Sequence, residues 1–140
     1  MKEIITYSEA ETKKVAREIA KNMGKTGIII LNGELGAGKT KFTEGFLSYF
    51  GLEDEISSPT FNIVNEYKNE KISIYHFDVY RLSDIDEFYA IGGEEYFSKG
   101  ICIIEWGEII EEALPKKYIK IDIKKDENDV DKRILCIEEK

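Results

Sequence analysis

Cysteine and proline are scarce in this chain, with two residues of each among 140. Cys102 and Cys136 each sit in an aliphatic run, at a spacing that matches no zinc or redox motif, so both are read as reduced, buried thiols. Pro59 and Pro115 fall between patterned segments and interrupt none of them. Arginine is scarce too, at positions 17, 81 and 133 alone, and the formal net charge is -8. Tight, direct binding of DNA or RNA draws on clustered basic side chains, so this composition argues against it. A basic protein partner suits the charge better. No apolar run approaches the roughly 20 residues that span a bilayer. Residues 1–7 lack the apolar core of a signal peptide, which makes the cytoplasm the expected compartment. There is no internal repeat and no low-complexity segment.

What is present is a mixture of 42% hydrophobic and 34% charged residues, the balance of a globular chain. Its length suits one domain over residues 1–140. Ser8 followed by Glu11 fits a capping box, and Val15, Ala16, Ile19, Ala20 and Met23 recur at helical spacing up to Gly24. Gly27 to Leu31 is a continuous aliphatic run, expected as a strand buried on both faces. A glycine-rich segment follows. Phe42, Phe46, Leu47 and Phe50 then line one face of a second helix that stops at Gly51. Residues 61–67 and 72–78 read as two strands around a polar turn. Ser83 to Glu87 starts a short helix, which Gly92 and Gly93 break. Ile101 to Ile104 is a second buried strand, and residues 118–123 and 133–137 alternate as a terminal hairpin. The pattern predicts an α/β sandwich of the P-loop NTPase type, with a mostly parallel central sheet and antiparallel additions.

Gly33, Gly38, Lys39 and Thr40 match G-x-x-x-x-G-K-[ST], placed between an apolar strand and a helix as the motif requires. Gly33, Gly36 and Gly38 let the backbone turn its N–H groups inward, where a side chain would block a phosphate. The helix opening near Lys39 adds its own N-terminal N–H groups. Lys39 supplies a mobile positive charge, and the Thr40 hydroxyl is a hard oxygen donor suited to Mg²⁺. Two acids end apolar strands, Asp78 and Glu105, where ligands gather in α/β proteins. Thr60 lies in a loop after the motif helix, the place of a segment that senses a γ-phosphate in other nucleotidases. Trp106 follows Glu105 directly and reads either as a platform that stacks on a base or a partner, or as a core or domain-edge aromatic. His76, on an apolar strand, reads more readily as a hydrogen-bonded structural residue than as an acid/base. A small-molecule kinase and a nucleotide-dependent binding module are the rival readings. The first lacks the clustered arginines of a lid.

Five segments occur together in a distinctive order: Gly33 to Thr40, Ser58 to Phe61, Tyr75 to Arg81, Gly93 to Phe97 and Ile101 to Trp106. In that order and spacing the chain resembles the TsaE family, formerly YjeE, over nearly its whole length. The resemblance implies an ATP- and Mg²⁺-binding subunit that hydrolyses ATP slowly alone. It implies work with a TsaB–TsaD heterodimer to form N6-threonylcarbamoyladenosine at position 37 of tRNA, with tRNA engaged only through the complex. By motif it implies phosphate contacts from Gly33, Leu35, Gly36, Ala37, Gly38, Lys39 and Thr40, with Thr40 and Glu105 at Mg²⁺. Lys39, Thr60, Asp78 and Glu105 take the catalytic roles. Glu9 and Thr12, with Ser8, fall by the adenine, and Asp129 is the match in the last hairpin loop. Three departures are visible: Glu34 stands for Asp, Lys41 for a second Thr, and Gly107 for Pro.

Overall fold

The computed structural model describes residues 2–34, 36–53, 64–79 and 82–140. Twelve elements follow in order, seven of them strands: β1 (Lys2–Thr6), α1 (Glu9–Asn22), β2 (Gly27–Gly33), α2 (Lys39–Tyr49), β3 (Val64–Lys68), β4 (Ser73–Asp78), α3 (Ile85–Ala90), a 3-10 helix (Gly93–Ser98), β5 (Ile101–Glu105), a second 3-10 helix (Gly107–Ala113), β6 (Ile119–Lys125) and β7 (Arg133–Glu139). The strands form one sheet in the order β1-β7-β6-β2-β5-β4-β3. The four central strands, β6, β2, β5 and β4, run parallel. Antiparallel partners flank them: β3 on one side, β7 and then β1 on the other. Parallel and antiparallel pairings are therefore equally numerous, and the sheet is mixed with a parallel centre.

Strand β2 is the middle of the sheet because its aliphatic run suits burial on both faces. Ile29 and Leu31 join one core with Ala16 and Ala20 of α1 and Phe42, Phe46 and Leu47 of α2. Ile28 and Ile30, pointing the other way, join a second core with Phe88 of α3, Cys102 and Ile110. Alternation of side chains along each strand thus feeds two cores at once. Helices α1 and α2 approach so closely that a Cβ on Gly45 would lie 2.5 Å from the Lys13 Cα. Only glycine permits that contact without moving a backbone.

The capping box forms with one change. The Ser8 hydroxyl accepts from the Glu11 N–H at 3.1 Å, but the Glu11 carboxylate takes the Tyr7 N–H at 3.0 Å instead of that of Ser8. Asp84 caps α3 in the same manner, accepting from the Glu87 N–H at 3.2 Å. In the β3–β4 turn the Asn69 side chain accepts from the N–H groups of Lys71 and Ile72. Of the cysteines, both free, Cys102 is buried as expected but Cys136 is only half-buried, because β7 has a partly open face. Burial pushes the Cys102 thiol up to about 12. Among the described residues, no helix is long and apolar enough to cross a membrane.

Candidate functional site: a polar cleft at the strand ends

The parallel run of β2, β4 and β5 brings their carboxyl ends to one edge of the sheet. Register sets Glu105 of β5 beside Leu31 of β2 and beside Asp78 of β4. Beyond β2 the chain turns through the glycine-rich loop into α2. Gly36 and Gly38 hold φ values of 80° and 108° there, a region that side chains avoid. The turn closes with the Ala37 N–H donating to the Glu34 carbonyl at 3.0 Å. Gly38 caps α2 with no side-chain bond, and its carbonyl takes the Phe42 N–H at 2.9 Å. The amides of the first turn, from Lys39 on, precede that first helical bond and so have no partner within the helix.

A cleft of about 770 Å³ opens at this edge. It is lined by Gly36, Gly38, Lys39 and Thr40 of the glycine-rich loop and the start of α2, and by Asp78, Glu105 and Trp106 at the strand ends. Ser8, Glu9 and Thr12, at the start of α1, and Val130, Asp131 and Arg133, of the last hairpin, line it as well. Thr12 is buried, with its hydroxyl 2.8 Å from that of Thr6, so the cleft lies against a fixed polar pair between β1 and α1.

The centre is a chain of three side chains. The Lys39 ammonium lies 3.3 Å from Glu105 Oε1, and His76 Nε2 lies 2.5 Å from Glu105 Oε2. Their side chains are 12%, 17% and 19% exposed for Lys39, Glu105 and His76. Burial alone pushes the Glu105 carboxyl up. The hydrogen bond and charge of His76, with the Lys39 ammonium, outweigh it and hold the group below the usual carboxylate range. Lys39 also stands 4.6 Å from the centre of the Trp106 ring. Trp106 has φ 64° and ψ 41°, the one positive φ among described residues other than glycine. Left-handed backbone on a bulky aromatic is strained. It turns the chain from β5 into the second 3-10 helix and lays the indole beside the cleft, 37% exposed. Trp106 therefore lines the cleft and is not a core aromatic, while its exposure suits either a stacking platform or an aromatic at the domain edge. His76 is hydrogen-bonded, as its place on a strand suggested.

The structure gathers Glu9, Thr12, Gly36, Gly38, Lys39, Thr40, Asp78 and Glu105 around one space. Gly33 and Ala37 support the loop from behind: a Cβ on Gly33 would meet the Ile123 carbonyl at 3.0 Å, and Ala37 is buried. Leu35 and Thr60 lie outside the described residues. Asp129 does not line the cleft. Its carboxylate accepts from the Asp131 N–H at 3.0 Å, shaping the hairpin loop, and its neighbours Val130 and Asp131 take the place by the cleft. Lys41 bridges the helices, 3.4 Å from Glu44 and 4.0 Å from Glu9. Gly107 is buried where a Cβ would lie 2.8 Å from Ile30 Cδ1, so the small residue fits this packing. The sequence singled out no arginine for the site, yet Arg133 lines it. Its Nε donates to the Ala37 carbonyl at 2.9 Å from 96 positions away. No local pattern announces a contact of that range.

Fold and cleft together define a mixed α/β protein whose glycine-rich loop, lysine and strand-end acids converge at the carboxyl ends of parallel strands. A family profile described as "Threonylcarbamoyl adenosine biosynthesis protein TsaE" matches residues 6–135. The chain belongs to the TsaE family. It is 42% identical over 134 residues to the tRNA threonylcarbamoyladenosine biosynthesis protein TsaE of Rickettsia bellii, covering 95% of this chain and 92% of that protein. The Bacillus subtilis protein of the same name is 41% identical over 121 residues, covering 86% and 75%. The crystal structure of Bacillus subtilis YdiB superposes with a TM-score of 0.74 at 34% identity, covering 96% of this chain and 82% of that one.

Proposed function

We propose that this protein is a P-loop ATPase serving N6-threonylcarbamoyladenosine formation at position 37 of tRNA. It binds ATP with Mg²⁺, turns over slowly alone, and acts in the cytoplasm with a TsaB–TsaD heterodimer that carries the tRNA contacts. The observation that carries this reading is the Lys39–Glu105 pair at 3.3 Å, over a loop whose glycines hold φ 80° and 108°. A cation poised on an acid, beside amides with no helical partner, is a cradle for a polyphosphate. The tRNA threonylcarbamoyladenosine biosynthesis role in the relatives' names supports the tRNA part of this reading.

The donor set fits Mg²⁺ and not a softer metal. Among the described residues no cluster of three or more His, Cys, Asp or Glu side chains gathers to hold an ion. Thr40 and Glu105 offer hard oxygens only and would hold Mg²⁺, a cation that prefers such donors. When bound, it offsets charge on the β- and γ-phosphate oxygens. The chain's own residues do the rest. Lys39 leaves Glu105 for the β- and γ-phosphates. Glu105 stays ionised at neutral pH and is held in place by His76. With Asp78 beside it, it orients the metal or the attacking water. Glu9 and Thr12, which line the same cleft, suit the adenine side. Arg133 spends its hydrogen bonds on main-chain carbonyls and is not the arginine this reading assigns to the γ-phosphate. The proposal takes turnover alone to be slow and an arginine to come from the partner, a group worth about 10³–10⁵ in rate.

Phosphate release measured with and without TsaB–TsaD tests this. Slow release alone, needing no acceptor and rising with the heterodimer, is expected. A fast, partner-insensitive rate would refute the reading, and a requirement for an added acceptor would indicate a kinase.

A further inference from the structure

Arg133 opens β7 and joins two segments of the chain that are remote in sequence. Its Nε donates to the Ala37 carbonyl at 2.9 Å, and one Nη2 hydrogen is directed at the Gly36 carbonyl at 3.4 Å. Its Nη1 donates to the Val130 carbonyl at 2.7 Å and the Lys132 carbonyl at 2.9 Å. One planar guanidinium thus ties the glycine-rich loop to the β6–β7 hairpin. Every one of these bonds ends on a main-chain oxygen.

The geometry bears on the amides. In a trans peptide the C=O and N–H point in opposite directions. Holding the Ala37 carbonyl against the hairpin therefore turns the Gly38 N–H away from the hairpin. Gly36 and Gly38, with φ of 80° and 108°, are residues whose backbone explores the most conformations. The loop has one internal bond among its described residues, from the Ala37 N–H to the Glu34 carbonyl. An outside tether is what fixes the Ala37–Gly38 peptide. A lysine cannot replace it, because an ammonium lacks the rigid fork that reaches four carbonyls on two segments.

We propose that Arg133 is a positioning residue that locks the glycine-rich loop to the last hairpin and so presets the loop amides for a polyphosphate. This rests on reading the loop as a phosphate cradle.

The test compares wild type, Arg133→Lys and Arg133→Ala by ¹⁵N relaxation without nucleotide, and by titration of Mg²⁺·ATP. Wild-type Gly36 and Gly38 amides are expected near the rigid order parameter of about 0.85, falling below about 0.6 in both variants. Amides of Ile101 to Ile104 in β5 stay unchanged. The ATP dissociation constant rises on the order of tenfold in both variants, the loss of about one charge-assisted hydrogen bond. Three results would overturn the proposal: loop order unchanged in both variants, order lost equally in β5, or affinity and order restored by Arg133→Lys. The last would make charge, not the fork, the active property. If wild type bound no ATP, the phosphate reading would fall, while the relaxation data would still decide whether Arg133 locks the loop.

Discussion

Replacing Glu105 by Gln removes one negative charge and leaves the shape. In the native protein that charge meets the Lys39 ammonium at 3.3 Å and His76 Nε2 at 2.5 Å. Both partners are less than one-fifth exposed, at 12% and 19%. Removing one member of a buried pair costs about 3–5 kcal/mol, and a hydrogen bond to a charged group is worth about 1.5–3 kcal/mol. Glu105 keeps 17% exposure, and the amide oxygen of Gln still accepts one bond, so the lower range applies. We expect Glu105→Gln to lose about 2 kcal/mol at pH 7. At about 2.1 cal/mol/K per residue, unfolding 140 residues carries about 0.3 kcal/mol/K, so Tm falls by about 7 °C. The pH dependence fixes the cause. The folded Glu105 carboxyl lies below its ordinary value, so its contribution is fully present above the unfolded value of about 4.3. It is lost as the pH falls through the folded value. Urea titrations followed by circular dichroism should show the gap between wild type and variant at pH 7 and its closure toward pH 3. A gap of equal size at both pH values, or none at pH 7, would refute the reasoning.

Gly38→Ala and Gly100→Ala separate a functional from a packing role. Among the described residues a Cβ on Gly38 would have Arg133 Nε as its nearest neighbour, at 4.0 Å, so its cost is the left-handed backbone alone, about 1–2 kcal/mol. A Cβ on Gly100 would lie 2.1 Å from the Ser73 carbonyl oxygen, which forces two strands to shift. Differential scanning calorimetry should give the larger Tm loss for Gly100→Ala, while only Gly38→Ala weakens ATP in a binding titration. Thiol labelling of the native protein should proceed at half-buried Cys136 and spare Cys102, whose thiol is buried and raised to about 12. Cys136→Ser should leave no thiol that reacts before unfolding.

The glycine-rich loop was legible because its chemistry is local: spacing, strand before and helix after all lie within a few residues. Strand β2 was legible for the same reason, since Ile28 to Leu31 carries burial on both faces in its composition. Strand β1 was not. It is an edge strand with two apolar residues, Ile4 and Ile5, and its register with β7 pairs Ile4 with Leu135 across almost the whole chain. The second 3-10 helix, Gly107–Ala113, has a kink at Ile110 and no regular period to read. Glu105 and His76 stood out as strand residues, but their contact depends on β4 and β5 being parallel neighbours, which only the sheet order gives. Asp129 is the match that the family resemblance implies in the last hairpin loop. Loop geometry puts Val130, Asp131 and Arg133 at the cleft instead, and Arg133 reaches a partner 96 residues away.

Isothermal titration of the purified chain with ATP and with ADP in the presence of Mg²⁺ tests the proposed phosphate cradle most directly. Saturable one-to-one binding that Lys39→Ala abolishes, with the circular dichroism of that variant unchanged, is the expected result. No heat from either nucleotide, for the chain alone or in the proposed complex with TsaB–TsaD, would contradict it.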